Sequence, residues 1–354
     1  ETIASSLTAG LRGQAIDRHG QTLPLSIMVP GWTTLVALLA TQHTATGMVI
    51  NCACIGLFSP PINLSARPLW RLAVGADKLR TAFAADTTMA NSLTIIGPFV
   101  ATYLALSVAP WTALAATSAL MVLGGVLMIT MPLSLNWRPD AQATRVRELL
   151  QSRAFQMLAV EGMIFGFGWG SLEVSVPAYS TLIHRPHLAA PLLAMLAGAS
   201  ILGGLVMGGR KTAVTPLRGF LRTSAIAATA TLPLAFTRPG ISLGIVLALI
   251  GVCIGFAQVY HWEVVEAVRP VGAAASAQAW IWTAEGSMLA MGTSLGGYLV
   301  ENVSPRAALA TTTVFLCAGA VFIWTVAKRH WLAADRPLTD LQRAEALADT
   351  EPAV

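Results

Sequence analysis

Apolar residues in this chain gather in long runs separated by short polar stretches. The runs fall at 24–42, 45–66, 84–107, 110–132, 155–181, 189–208, 220–237, 241–262, 275–300 and 306–327. Each is close to the roughly 20 residues that an α-helix needs to cross a bilayer. A shorter stretch, 3–9, reads as the end of an earlier helix closing at Gly10. Strictly alternating segments of about ten residues, the mark of a membrane barrel, do not recur. Pro30, Gly31, Pro60 and Pro61 lie inside runs, which membrane helices tolerate because neighbouring helices satisfy the freed backbone groups. The pattern predicts an all-α membrane protein with ten full transmembrane helices plus a partial one.

Composition agrees. The 354 residues are 55% hydrophobic and 11% charged, against about 25% charge in a soluble domain. This excludes a soluble enzyme, a nucleic-acid binder and a disordered chain. The placement of charge then orients the chain. With the segment after the partial helix set inside, 19 of the 22 Lys and Arg fall on inner segments or their borders. Only Arg185, Arg238 and Arg306 fall outside. This bias is the positive-inside rule, and a wrong span count would scramble it. It also accounts for the pI of 9.3, because the basic residues face the anionic inner leaflet. A lipid bilayer is the expected partner, with no nucleic acid, in a multi-pass protein of the plasma or inner membrane.

Cys52, Cys54, Cys253 and Cys317 all sit in apolar runs and read as small buried residues, so no disulfide or metal site is expected. No cofactor is implied. The polar stretch 133–154 divides the chain into a helical bundle at 1–132, a central cytoplasmic loop at 133–154, a second bundle at 155–330 and a cytoplasmic tail at 331–354. Six helices on each side of such a loop is a plan of many secondary transporters. It would put one helix and most of another before residue 1. A monomer is expected.

The segment Gly13-Gln14-Ala15-Ile16-Asp17-Arg18-His19-Gly20 resembles the signature loop between the second and third helices of the major facilitator superfamily. That resemblance implies a two-bundle transporter fold. It also implies a gating set of Gly13, Asp17, Arg18 and Gly20, with Asp17 set against the N-terminus of the eleventh helix, near 273–277, helping to hold the cytoplasmic side shut. Physically this is an anion at the positive end of a helix dipole. Gln21, Thr22 and Leu23 stand where the family usually carries Arg or Lys. Gly97-Pro98 resembles the Gly-Pro of the fifth-helix motif of drug/proton exporters, with Ala101 and Thr102 in place of the paired glycines. The stretch 166–174 resembles the seventh helix of bacterial members.

Ionisable groups inside spans cost several kcal/mol and mark functional positions. Glu173 and Glu285 lie deep in runs that contain no Lys or Arg; Asp86 and Glu161 lie nearer the inner ends of theirs. A carboxylate in apolar surroundings tends to keep its proton until water reaches it, so these four are the proton-coupling candidates. His261, Glu263, Glu266 and Arg269 suggest a gate salt bridge or a solvated face. Trp169 and Trp280 are cavity candidates. Glycines four apart, as at Gly162, Gly166 and Gly170, let helices approach closely. The expected function is export of a small-molecule substrate in exchange for protons, with an importer or uniporter as the alternative. A membrane enzyme or scaffold is the rival class. No metal cluster, phosphate-binding glycine loop or nucleophile with a base at motif spacing supports an enzyme.

Overall fold

The computed structural model describes residues 2–74, 78–136, 146–209, 214–270 and 273–336, and these contain no β-strand. The chain runs through α1 (Thr2–His19), α2 (Thr22–Leu39), α3 (Ala45–Leu57), α4 (Ile62–Ala73), α5 (Leu79–Ser107) and α6 (Pro110–Thr130). Two short helices follow, α7 (Pro132–Asn136) and α8 (Val146–Gln151). Then come α9 (Arg153–Leu182), α10 (Ala189–Gly208), α11 (Pro216–Thr231), α12 (Ile241–Val268), α13 (Ala274–Asn302) and α14 (Pro305–Thr325).

Local chemistry sets many boundaries. The Thr44, Ser152 and Ser304 hydroxyls accept from the backbone N–H three residues on, capping α3, α9 and α14. Proline opens α6, α11 and α14, where its missing N–H costs nothing. Pro60 and Pro61 break the expected 45–66 span into α3 and α4, because proline cannot donate into the helix ladder. Arg12 of α1 donates to the Ser59 carbonyl at this break and to the Ser5 carbonyl. The first helix is longer than expected. It continues through Gly10, whose bare backbone faces the Trp280 ring, and ends at Gly20, which has φ 81°. The signature segment is therefore mostly helix, with the turn at its last residue.

Many large apolar side chains stand exposed, among them Ile27, Met89, Leu93, Leu120, Leu127 and Leu202. That is more apolar surface than a protein in water sustains. Five described helical segments are long and apolar enough to cross a membrane: Thr22–Leu39, Trp111–Thr130, Pro186–Gly208, Ile241–Val268 and Pro305–Arg329. The other expected crossings are interrupted, as at α3–α4, or short, as in the 16-residue α11. The long helices α5, α9 and α13 instead carry the acids Asp86, Glu161, Glu173 and Glu285.

Helices α9 to α14 pack on one another, most extensively α9 on α13 and α10 on α12. Helices α1 to α6 pack among themselves through α2–α6, α1–α3 and α5–α6. Two main seams join these sets, α1 on α13 and α5 on α10, with α12 beside α5. After α14 the chain folds back: Trp331 is fully buried, donates to the Ala154 carbonyl (3.0 Å) and leans on Phe220. Asp335 accepts from Thr215 and pairs with Arg218 at 3.0 Å. Residues 137–145 of the expected central loop and 337–354 of the expected tail lie outside the described residues.

Candidate functional site: two seams and a buried acid cluster

At the first seam, α1 approaches α13 closely. A Cβ on Gly13 would overlap Ala279 and the Ala275 carbonyl, so only glycine fits there. Gly10 N–H donates to the Thr283 hydroxyl (3.1 Å). Asp17 is 5% exposed and caps α13 across the seam. Its Oδ1 accepts from Ala275 N–H (3.1 Å) and its Oδ2 from Ser276 N–H (2.6 Å). Two of the orphan donors of that helix end are thus met by an anion at the positive pole. Arg18 is exposed. Gln21, where the family usually carries a base, is buried: it donates to the Ser65 carbonyl (3.1 Å) and accepts from the Ser134 hydroxyl (2.9 Å). An amide ties these inner ends together without bringing in a charge.

The second seam has a strong tie that sequence reasoning missed. Arg80, at the start of α5, meets Glu263 of α12 through two parallel bonds, Nε to Oε1 at 2.6 Å and an end nitrogen to Oε2 at 3.0 Å. Glu263 is fully buried. The guanidinium also donates to the Val214 carbonyl (3.3 Å) and lies 5.2 Å from the centre of the Tyr260 ring. Thr81 donates to the Gly208 carbonyl (2.9 Å), and deeper along the seam Asn91 donates to Ser200 (3.2 Å). The expected cluster on α12 divides among several partners. Arg269 pairs with Glu266 at 2.9 Å, whereas Glu263 and His261 turn to other helices.

The membrane-depth acids separate into two places. Glu161 is buried on α9 with His261 Nδ1 at 3.4 Å, and Glu285 of α13 acts on it electrostatically. Glu173 lies twelve residues further along α9, about 18 Å away at the helical rise. It is exposed and accepts from Trp169 Nε1 (2.9 Å), whose ring stacks on Phe165. With Val174, Pro177, Ala178, Thr181 and Thr293 it lines an open pocket of about 500 Å³. Asp86 is half-buried on α5. Trp280 packs over Gly10 in the first seam. Gly97 has open space beside it, and α5 stays helical through Pro98. Gly166 and Gly170 seat the Glu285 and Leu289 carbonyls of α13, bringing the two backbones together.

No protein-family model matches this sequence, and no curated protein sequence matches it. Among solved structures, the crystal structure of the human organic anion transporter MFSD10 (TETRAN) is similar. The TM-score is 0.75 at 15% sequence identity, over 91% of this chain and 81% of that one. At that identity the likeness is one of fold. The described residues form a helical fold of the major facilitator type.

Proposed function

We propose that this chain is a secondary transporter that moves a small molecule by alternating access, here in the form shut on its cytoplasmic side. One observation carries the reading. The strong ties between the two helix sets, Asp17 to α13 and Arg80 to Glu263, both lie at the helix ends that the basic residues assign to the cytoplasm. Tied at one end, two bundles are poised to rock about a central path. Helices 1–132 and 155–330 are the two bundles of this reading.

Export in exchange for protons is the direction we infer. It is supported by Glu173 and Glu285 at depth, by Asp86 and Glu161 nearer the inner ends of their helices, and by Gly97-Pro98 in α5. Asp17, with Gly13, Arg18 and Gly20, serves as the conformational gate, and Arg80 with Glu263 as its counterpart on the second seam. The pocket beside Glu173 and Trp169 is the place where solute and proton meet. Organic anions belong in the first screen, because the similar human structure is named as their transporter.

The test is transport in liposomes carrying an imposed pH gradient, read with a panel of organic anions and cations. Counterflow of protons and a panel member is expected, with Glu173→Gln and Glu285→Gln breaking the dependence on the gradient. Solute flux indifferent to the gradient overturns proton exchange and favours a uniporter. Transport in both variants equal to that of the unaltered chain removes the two acids from the mechanism.

A further inference from the structure

The inner end of α12 places three ionisable side chains on three different partners. Glu263 goes to Arg80 of α5 and Glu266 to Arg269 beside it. His261 goes to Glu161 of α9, with Nδ1 3.4 Å from Oε2. His261 and Glu263 are two residues apart, so they leave the helix about 200° apart around its axis. One turn of α12 therefore reaches into α9 on one side and α5 on the other.

Glu161 is 7% exposed, and its Oε2 makes no hydrogen bond among the described residues. A buried carboxylate in that state needs a proton or a neighbouring cation. The imidazole supplies either. Glu285 of α13 adds a second carboxyl that acts on Glu161. The other groups nearby are mixed: Gln258 Oε1 on α12 and Trp280 Nε1 on α13 are buried with no hydrogen bond among the described residues, and α11 carries Arg222 as well as Arg218, which pairs with Asp335. Phe220 of α11 lies edge-on to the imidazole at 5.4 Å between ring centres, and Trp262 at 5.0 Å. Helix α10 carries no ionisable residue. Helix α14 carries Arg306 at its outer end and Cys317, whose thiol points to the Ala228 carbonyl. Helix α5 offers Arg80, which Glu263 engages, and the half-buried acid Asp86.

We propose that Glu161 and His261 form a single proton-holding site, neighboured by Glu285, whose occupancy decides whether the Arg80–Glu263 tie holds. The proposal rests on the transport reading above and supplies its coupling route. A proton arriving from water neutralises the Glu161 carboxylate and removes its attraction for the imidazolium. The inner end of α12 is then released from α9. Tyr260 and Glu263, which bracket Arg80, sit on the same turn and move with it.

The experiment needs no substrate: the probe is the proton. In lipid nanodiscs, Trp262 fluorescence follows pH, because the imidazolium quenches the adjacent indole and its contact with that ring changes once Glu161 no longer holds it, and Trp262→Phe identifies its share of the signal. His261→Gln abolishes the transition. Glu161→Gln moves its midpoint by about one unit or more, the scale of a neighbouring charge, while Glu173→Gln leaves it in place. Should Glu161→Gln not fold, Glu161→Asp shifts the midpoint instead. Spin labels at Lys78→Cys and Val268→Cys, with the four native cysteines replaced, read the second seam. Their separation lengthens over the same pH range, and His261→Gln removes that change. A fluorescence transition unmoved by both Glu161 variants overturns the site. A seam that ignores pH, or opens equally in His261→Gln, overturns the coupling. If both readouts behave as expected and the panel solutes still fail to cross liposomes, the transport reading fails while the proton switch stands.

Discussion

Removing Arg80 is the sharpest perturbation of the closed form. Glu263 is fully buried, and its two oxygens take bonds of 2.6 and 3.0 Å from one guanidinium. Arg80→Ala leaves that carboxylate in an apolar seam with its bidentate cation gone. Breaking one half of a buried pair costs about 3–5 kcal/mol, whereas replacing both halves by apolar groups is often neutral. The tie exists only while the seam is shut, so the cost falls on the shut form. At the lower bound of about 3 kcal/mol, the ratio of open to shut rises roughly 100-fold. Thr87 is 3% exposed and lies on α5 behind the tie. With native cysteines replaced, Thr87→Cys in inside-out vesicles reports opening through its rate of labelling by an impermeant maleimide. Arg80→Ala is expected to raise that rate about 100-fold, and Arg80→Met with Glu263→Leu to return most of it. A rise of less than about threefold in Arg80→Ala, or a double variant as open as the single one, refutes the argument.

Asp17→Ala removes two bonds and a charge from the start of α13. It should destabilise the shut form by about 1–3 kcal/mol, with Asp17→Asn costing less because one acceptor survives; the same maleimide assay reads both. Gly166→Val drives a side chain into the Glu285 carbonyl, an overpacking cost of about 1–3 kcal/mol. A fall in Tm in detergent checks it, and an unchanged Tm would contradict the close approach. Trp331→Ala empties a fully buried site at about 3–5 kcal/mol, visible as a large Tm loss. Gln21→Arg restores the base found in the resembled family yet puts a charge where the amide is 1% exposed. Lowered Tm is expected, and a stabilised protein would show that the site around Gln21 accommodates a charge.

Asp17 was legible before any coordinates. The Gly13 to Gly20 segment pointed it at the start of the eleventh helix, and its carboxylate is at Ala275 and Ser276. The resemblance worked there because a turn, an anion and a helix end leave a local signature. Arg80 left none. In the sequence it counts as one inward-side base among many, and no spacing rule links it to Glu263, 183 positions away. The partners within the α12 cluster were hidden for a related reason. Proximity along the chain grouped Glu263 with His261, Glu266 and Arg269, while the direction in which each side chain leaves the helix sends Glu263 to α5. Nor did the letters of Gly10 reveal that α1 runs past it, because the ring that packs on that bare backbone belongs to Trp280.

Hydropathy along the chain settled that this is a helical protein of the bilayer, and the bias of Lys and Arg is the basis of the orientation proposed for it. Both follow from a one-dimensional choice at each position between lipid and water. Which acid meets which base was decided only by tertiary structure. Helix rotation and crossing select pair partners, and those depend on every small residue in the seams, from Gly13 on α1 to Gly166 and Gly170 on α9. Glu161 facing His261, and Glu263 facing Arg80, are products of that packing.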